Sequence, residues 1–179
     1  MKKIFLFSTS ILLVLSLASA FAAWDPREKQ EAEDAAADAV KQLLEIEPSM
    51  KVYFDQAYAY AVFPSVGKGA FIAGVGYGKG VFFEGGKAIG KASITQLSAG
   101  AQIGGETYTE FIFFRDKDKA EDFKSGRYEF GAQATAVAVT SGLGMAGTYT
   151  DGVAVYIIPK AGLMADASVS GQKFSFEPY

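Results

Sequence analysis

Hydrophobic residues near the start of the chain recur at helical spacing. Apolar positions within residues 32–44 repeat every three or four residues, and acidic side chains occupy the positions between them. This pattern predicts an amphipathic helix. Asp25 is suited to cap it and Pro26 suits its first position, so we place the helix over about residues 26–47. A second, shorter helix is expected to begin at a cap on Ser49.

Beyond residue 58 the period of the pattern changes from helical to alternating, which is typical of strands. Within residues 67–90, one set of alternate positions is mostly large and apolar and the other is mostly glycine. Residues 84–87, with the sequence Glu-Gly-Gly-Lys, indicate a hairpin turn. Further strands are expected over about residues 88–94, 96–103, 107–114, 142–150, 153–158 and 163–176.

A short charged helix interrupts these strands. Asp116 is suited to cap it, and Gly126 follows its last turn. The chain shows no linker and no repeat of fixed period. We therefore predict one α+β domain with a β-rich core over about residues 58–179. Its core is expected to be a compact, glycine-rich, strongly curved antiparallel sheet, or a barrel-like form of it, with the N-terminal amphipathic helix and short helices packed on it.

The first residues are typical of a secretory signal peptide. Two lysines precede an apolar run over residues 4–17, and small residues follow. This order predicts a leader over residues 1–22, cleaved after Ala20 or Ala22, and a domain over residues 23–179. We therefore expect a periplasmic or secreted protein. Association with a membrane surface stays open.

The composition argues against several classes of function. The chain has no cysteine and no histidine, so zinc sites and imidazole-based catalytic triads lack their usual residues. Its formal net charge of −3 argues against binding nucleic acid, which calls for clustered basic residues. We expect no cofactor, no metal site and no enzymatic activity.

Two short motifs resemble catalytic signatures without completing them. Residues 85–92 nearly spell a phosphate-binding loop, but Ala92 stands where Ser or Thr should hold magnesium. Ser65 and Lys68 have the S-x-x-K spacing of serine acyl-transferases, beside a proline and a glycine that disfavour a helix. Carboxylates of the β-rich region, Glu110 among them, are expected to be solvated charges at turns and edges.

Five blocks along the chain resemble the SYLF domain, in the order that the family has them. The opening signature resembles residues 61–72, and its glycine-rich continuation resembles residues 74–81. The later blocks are similar to residues 102–105, 130–134 and 162–168. The resemblance covers nearly all of the chain after the predicted leader.

The resemblance implies a lipid-binding module. Eukaryotic relatives bind phosphoinositides, some fungal members also bind and bundle actin, and bacterial relatives are secreted or envelope proteins. In some animal relatives a basic N-terminal helix contributes to membrane binding, whereas here that helix is acidic. Anionic headgroups attract basic segments, so this helix is not assigned a membrane-binding role. Actin binding is not expected either.

The candidate lipid-binding residues lie in the glycine-rich region, where lysines alternate with aromatic residues. Lysine can place its ammonium group at phosphates while its stem lies on apolar surface, and aromatic rings suit a membrane interface. The expected partner is an anionic phospholipid or a membrane surface. In the opposing interpretation, the rings are core residues and the lysines are solvated. The candidates are Lys68, Phe71, Tyr77, Lys79, Phe82, Phe83, Lys87 and Lys91.

Two other functions stay open at this point. A small integral outer-membrane β-barrel would suit the leader and the chain length, although its alternate strand positions should be polar rather than glycine. A structural envelope protein without any ligand is the other possibility. The oligomeric state is not predicted.

Overall fold

The architecture comes from a computed structural model that describes most of the chain after the predicted leader. Residues 1–22, most of the predicted strand over 142–150 and the first part of that over 163–176 lie outside it. The described residues are 25–68, 75–97, 107–128, 130, 137–138, 149–161 and 171–179.

The N-terminal helix forms as predicted, as α1 (Pro26–Ile46). The side chain of Asp25 accepts a hydrogen bond of 2.9 Å from the backbone N–H of Arg27, which caps the first turn. Ala36, Ala39 and Leu43 lie on one face of the helix and are buried. Small alanine side chains on this face let the helix axis lie close to the strands beneath it.

The segment after α1 differs from its prediction. A 3₁₀ turn, Pro48–Met50, leads into α2 (Lys51–Gln56), which has no side-chain cap. The predicted cap on Ser49 is therefore wrong. The Glu47 carboxylate accepts hydrogen bonds from the Ser49 backbone N–H at 3.3 Å and from its hydroxyl at 2.6 Å. Glu47 thus caps the 3₁₀ turn, and Ser49 lies inside that turn.

In the described part of the chain, seven strands form one sheet, in the spatial order β5-β6-β4-β1-β2-β3-β7. All described pairings are antiparallel except the short pairing of β5 with β6. The strands are β1 (Ala59–Lys68), β2 (Val75–Glu84), β3 (Lys87–Leu97), β4 (Thr107–Phe114), β5 (Val137–Ala138), β6 (Val153–Ala161) and β7 (Gln172–Pro178), with helix α3 (Lys117–Lys124) between β4 and β5.

The sequence predicted separate strands over about residues 88–94 and 96–103, and the interruption between them at residue 95 is wrong. Thr95 pairs with Tyr77, and Gln96 pairs with Gly76, so β3 is continuous through this point. Pairing with β2 and β7 on its two sides holds the strand extended where local sequence suggested an interruption.

The predicted turns are confirmed. Gly85 and Gly86 both have positive φ, 56° and 76°, and form a two-residue turn between β2 and β3. Such hairpin turns require positive φ at both central positions, which glycine adopts without steric cost. Asp116 caps α3 by accepting a hydrogen bond from the Lys119 backbone N–H, and Gly126, with φ of 69°, follows the end of this helix.

The middle of β1 contains a bulge at Pro64. The pairing register of β1 with β2 shifts between Val62 and Ser65. Proline has no N–H to donate to a neighbouring strand, and a bulge is one of the few places where a sheet accepts it. The Pro64 carbonyl oxygen instead accepts hydrogen bonds from the Thr109 hydroxyl at 3.0 Å and from the Lys160 ammonium at 2.5 Å.

The sheet is strongly curved, as predicted. The Gln172 side chain on β7 donates a hydrogen bond of 3.0 Å to Glu110 on β4, although three strands lie between them in the sheet. In a flat sheet those two strands would be about 19 Å apart, at about 4.8 Å per step. The sheet must therefore bend round so that β7 approaches β4. Within the described strands it ends at β5 and β7 and does not close on itself.

Side chains pack on both faces of this sheet. The concave face holds one buried cluster, which includes Phe63, Phe82 and Ile112 and which α3 covers with Phe123. The outer face holds a second cluster, in which Leu43 of α1 packs with strand residues. Among the described residues, no helix has the length and apolar character needed to cross a bilayer.

Candidate functional site

A groove of about 400 Å³ lies between the first half of α1 and the outer face of the sheet. A volume of this size is at the lower end of the range for small-molecule sites. We refer to it as the α1 groove. Its lining residues come from α1 and from three adjacent strands: Glu28, Glu31, Ala32 and Ala35 from α1, Pro64 and Ser65 from β1, Lys79 and Gly80 from β2, and Lys91 from β3.

Backbone forms the floor of the α1 groove. The bulge at Pro64 and Ser65 interrupts the regular pairing of β1 with β2, and Gly80 lies opposite this interruption. A Cβ atom added to Gly80 would overlap the carbonyl oxygen of Val62 and would stand 2.6 Å from Cδ1 of Phe63. Glycine at this position therefore allows β1 and β2 to approach each other closely beneath the groove.

Side chains of both charges line the α1 groove. Glu28, Glu31 and Lys79 are exposed, and Lys91 is partly buried. None of the ion pairs among the described residues involves Glu28, Glu31 or Lys79. These three charges are therefore free to meet a ligand.

The structure brings together only some of the predicted candidates. Lys79 and Lys91 both line the α1 groove. Tyr77 lies two residues before Lys79 on the same face of β2, and it is 51% exposed. Lys87 lies beside the hairpin turn at the other end of β2, in register with Glu84.

The two phenylalanines of β2 lie in packed surroundings. Phe82 is fully buried on the concave face, where its ring stacks on Phe123 with a centroid distance of 5.3 Å. Phe83 is partly buried and stacks on Tyr60 at 4.8 Å. Phe82 is therefore not available at the surface, because strand alternation directs it into the core. The side chain of Lys68 and the whole of Phe71 lie outside the described residues.

The contribution of α1 to this site was not predicted from the sequence. The acidic face of the helix indicated only repulsion from anionic membranes. In the structure, Glu28 and Glu31 line the same groove as Lys79, which lies about 50 residues later in the chain. The acidic face was visible in the sequence, but the strand opposite it was not, because that pairing depends on how α1 packs across the sheet.

A second polar cluster is buried inside the curved sheet. The Tyr108 hydroxyl donates a hydrogen bond to Gln96 at 2.8 Å, and the Gln172 amide donates to Glu110 at 3.0 Å. Glu110 is fully buried, so the expectation that it is a solvated edge charge is wrong. Its strand, β4, lies in the interior of the sheet, and β7 approaches the side chain of Glu110 on the concave face.

The two motifs that resembled catalytic signatures form ordinary strand structure. Gly85 and Gly86 make the hairpin turn, and the chain continues as β3 rather than as the helix of a phosphate-binding loop. Ser65 and Lys68 lie along β1, where three residues span about 10 Å. An S-x-x-K pair needs helical spacing to bring its serine and lysine side chains together.

Comparison with known proteins gives two matches. The Ysc84 family, described as "Las17-binding protein actin regulator", matches residues 95–178. Beta cell expansion factor A from Aeromonas veronii is 33% identical to the chain over 157 residues, which cover 84% of this chain and 59% of that protein. The chain thus spans about 59% of the length of this relative. The family match includes β4, β6 and β7, whereas all of the residues that line the α1 groove precede it.

Proposed function

We propose that the chain, whose residues 95–178 match the Ysc84 family of SYLF domains, is an exported, non-enzymatic envelope protein that binds phospholipid. The family is one of binding domains rather than of enzymes. The observation that carries the proposal is the position of Lys79 and Lys91 at one open groove, with the half-exposed ring of Tyr77 beside them.

Lysines at this groove suit the phosphate that every phospholipid carries. Lys79 extends from a central strand, so its backbone is fixed while its long side chain can reach outward. Each basic residue near an anionic surface contributes about 1 kcal/mol of attraction. The ring of Tyr77 on the same face combines an apolar body with a polar hydroxyl, which suits the boundary between headgroups and acyl chains.

Export is part of the proposal and rests on the leader-like residues 1–22. Expression of the full chain in a bacterial host, followed by fractionation and determination of the N-terminal residue, tests it. We expect the protein in the periplasmic or secreted fraction, beginning at Phe21 or Ala23. A cytoplasmic protein that retains Met1 would contradict this part of the proposal.

Lipid binding is tested by co-sedimentation of the protein, purified from the full-length expression, with two kinds of vesicle. One contains phosphatidylethanolamine with phosphatidylglycerol, and the other contains phosphatidylcholine alone. We expect binding to at least the first, reduced about fivefold in Lys79→Gln. Lys87→Gln is the matched control, because Lys87 belongs to the same hairpin but lies outside the α1 groove.

Two outcomes would count against this function. Absence of binding to both kinds of vesicle would leave a structural envelope protein without a lipid ligand. Equal losses in Lys79→Gln and Lys87→Gln would assign the attraction to general surface charge rather than to the α1 groove.

A further inference from the structure

We infer that the α1 groove recognises a zwitterionic, amine-bearing phospholipid headgroup, with its phosphate at Lys79 and its amine at Glu28 and Glu31. This inference rests on the proposed function and specifies the ligand class at the same site. It departs from the preference for anionic lipid that the lysines alone predicted.

The arrangement of charge is the first support. Glu31 and Ala32 each lie three or four residues from both Glu28 and Ala35, so the four residues form one stripe along α1, and this stripe lines the groove. Lys79 lines the groove from the sheet. The groove therefore presents two carboxylates from the helix and the ammonium groups of Lys79 and Lys91 from the sheet. A ligand that carries both a phosphate and an amine complements this arrangement.

Two of the other acidic residues of α1 already have partners within the helix. Glu33 pairs with Lys29 at 3.8 Å, and Glu45 pairs with Lys41 at 4.0 Å. Glu28 and Glu31 have no such partner among the described residues, and they are the two acidic residues of α1 that line the groove. Their carboxylates are thus available to a cationic group of a ligand.

The size and the walls of the groove suit a headgroup rather than an acyl chain. About 400 Å³ accommodates a phosphoethanolamine group with its glycerol. Ala32, Ala35 and Pro64 supply short apolar walls between the charged positions. These walls can contact the carbon atoms that separate the phosphate from the amine.

The two carboxylates also disfavour a purely anionic headgroup. A phosphoglycerol group offers the same phosphate to Lys79 but has no amine, so Glu28 and Glu31 would meet no cationic group and would only repel its negative charge. An exposed charge pair contributes up to about 1 kcal/mol, equivalent to about fivefold in affinity. Two carboxylates therefore suffice for a measurable preference.

The test uses two soluble headgroup compounds, glycerophosphoethanolamine and glycerophosphoglycerol, titrated into the protein purified from the full-length expression. Binding is followed by NMR shifts of the backbone amides of Ser65 and Gly80. We expect glycerophosphoethanolamine to bind about fivefold to tenfold more tightly. The double variant Glu28→Gln with Glu31→Gln should abolish that difference, whereas Lys79→Gln should weaken both compounds by a similar factor.

Glu45→Gln is the matched control, because Glu45 is an exposed acidic residue of the same helix outside the groove. It should leave both affinities unchanged. Equal affinity for the two compounds, tighter binding of glycerophosphoglycerol, or a preference that survives the double variant would overturn the inference. So would absence of binding by both compounds. If vesicle binding and its loss in Lys79→Gln persist in those cases, the proposed function stands and only the headgroup assignment fails.

Discussion

The Lys124 ammonium, in the last turn of α3, lies 3.1 Å from a carboxylate oxygen of Glu84 beside the β2–β3 turn. The other Glu84 oxygen accepts a hydrogen bond of 2.9 Å from the Tyr58 hydroxyl, just before β1. The side chains of Lys124 and Glu84 are 17% and 30% exposed, so water screens this pair only in part. The contact joins α3 to one end of the hairpin.

This contact predicts a dependence of stability on pH. Hydrogen bonds from Lys124 and then from Tyr58 lower the pKa of Glu84 from its ordinary value. A carboxylate whose pKa is lowered by folding stabilises the protein above its unfolded pKa, about 4.3 for glutamate. The stabilisation is lost as the pH falls through the lower, folded pKa. Glu84→Gln should therefore reduce the free energy of unfolding near neutral pH by about 1 kcal/mol. In this variant the free energy of unfolding should also decrease less as the pH is lowered.

Urea unfolding between neutral pH and about pH 3 measures both effects. Glu45→Gln is the control, because its pair with Lys41 is exposed and 4.0 Å long. An unchanged acid dependence in Glu84→Gln would show that the contact with Lys124 contributes nothing to folding.

Gly80 should tolerate no side chain. In Gly80→Ala, the new methyl group would overlap the Val62 carbonyl and press on the Phe63 ring. We expect a loss of about 2 kcal/mol or more in the free energy of unfolding. Gly67→Ala is the matched control, since an added Cβ there meets nothing within 4 Å. Chemical denaturation of both variants checks this, and equal effects at the two positions would contradict the close approach of β1 and β2.

The hairpin turn should distinguish between side chains at its two central positions. Gly85 and Gly86 have positive φ and open space around them, so only backbone conformation limits substitution. Asparagine followed by glycine is a favoured pair in such turns, so Gly85→Asn should change stability little. Gly86→Ala should cost about 1 kcal/mol, because alanine disfavours positive φ. Thermal unfolding of the two variants measures the difference, and an equal loss in both would contradict the turn type.

Leu43 should hold α1 on the sheet. It is fully buried in the outer-face cluster, whereas its neighbour Leu44 is only partly buried. Leu43→Ala should lower the free energy of unfolding by about 3 kcal/mol, and Leu44→Ala by clearly less. Hydrogen exchange should also show faster exchange in α1 of the Leu43 variant. Slower or unchanged exchange there would mean that other contacts dock the helix.

Some of these features could be predicted because they depend on neighbouring residues. The cap at Asp25, the turn at Gly85 and Gly86, and the cap of α3 at Asp116 each involve atoms within a few residues of one another. The cap at Ser49 was predicted wrongly for a reason of the same kind. Glu47, two residues away, accepts hydrogen bonds from the backbone N–H and the hydroxyl of Ser49, so Ser49 lies inside the 3₁₀ turn instead of capping the next helix.

The sequence by itself determined the type of each main element in the described regions, because helical and alternating spacing of apolar residues arise from the geometry of one segment. The tertiary structure alone decided which side chains meet. Whether Phe82 is buried or exposed depends on which face of β2 is concave, and the curvature that sets this arises from all the strands together. The meeting of Glu31 with Lys79 at one groove likewise requires α1 to cross the sheet, and no local pattern in either segment specifies its partner.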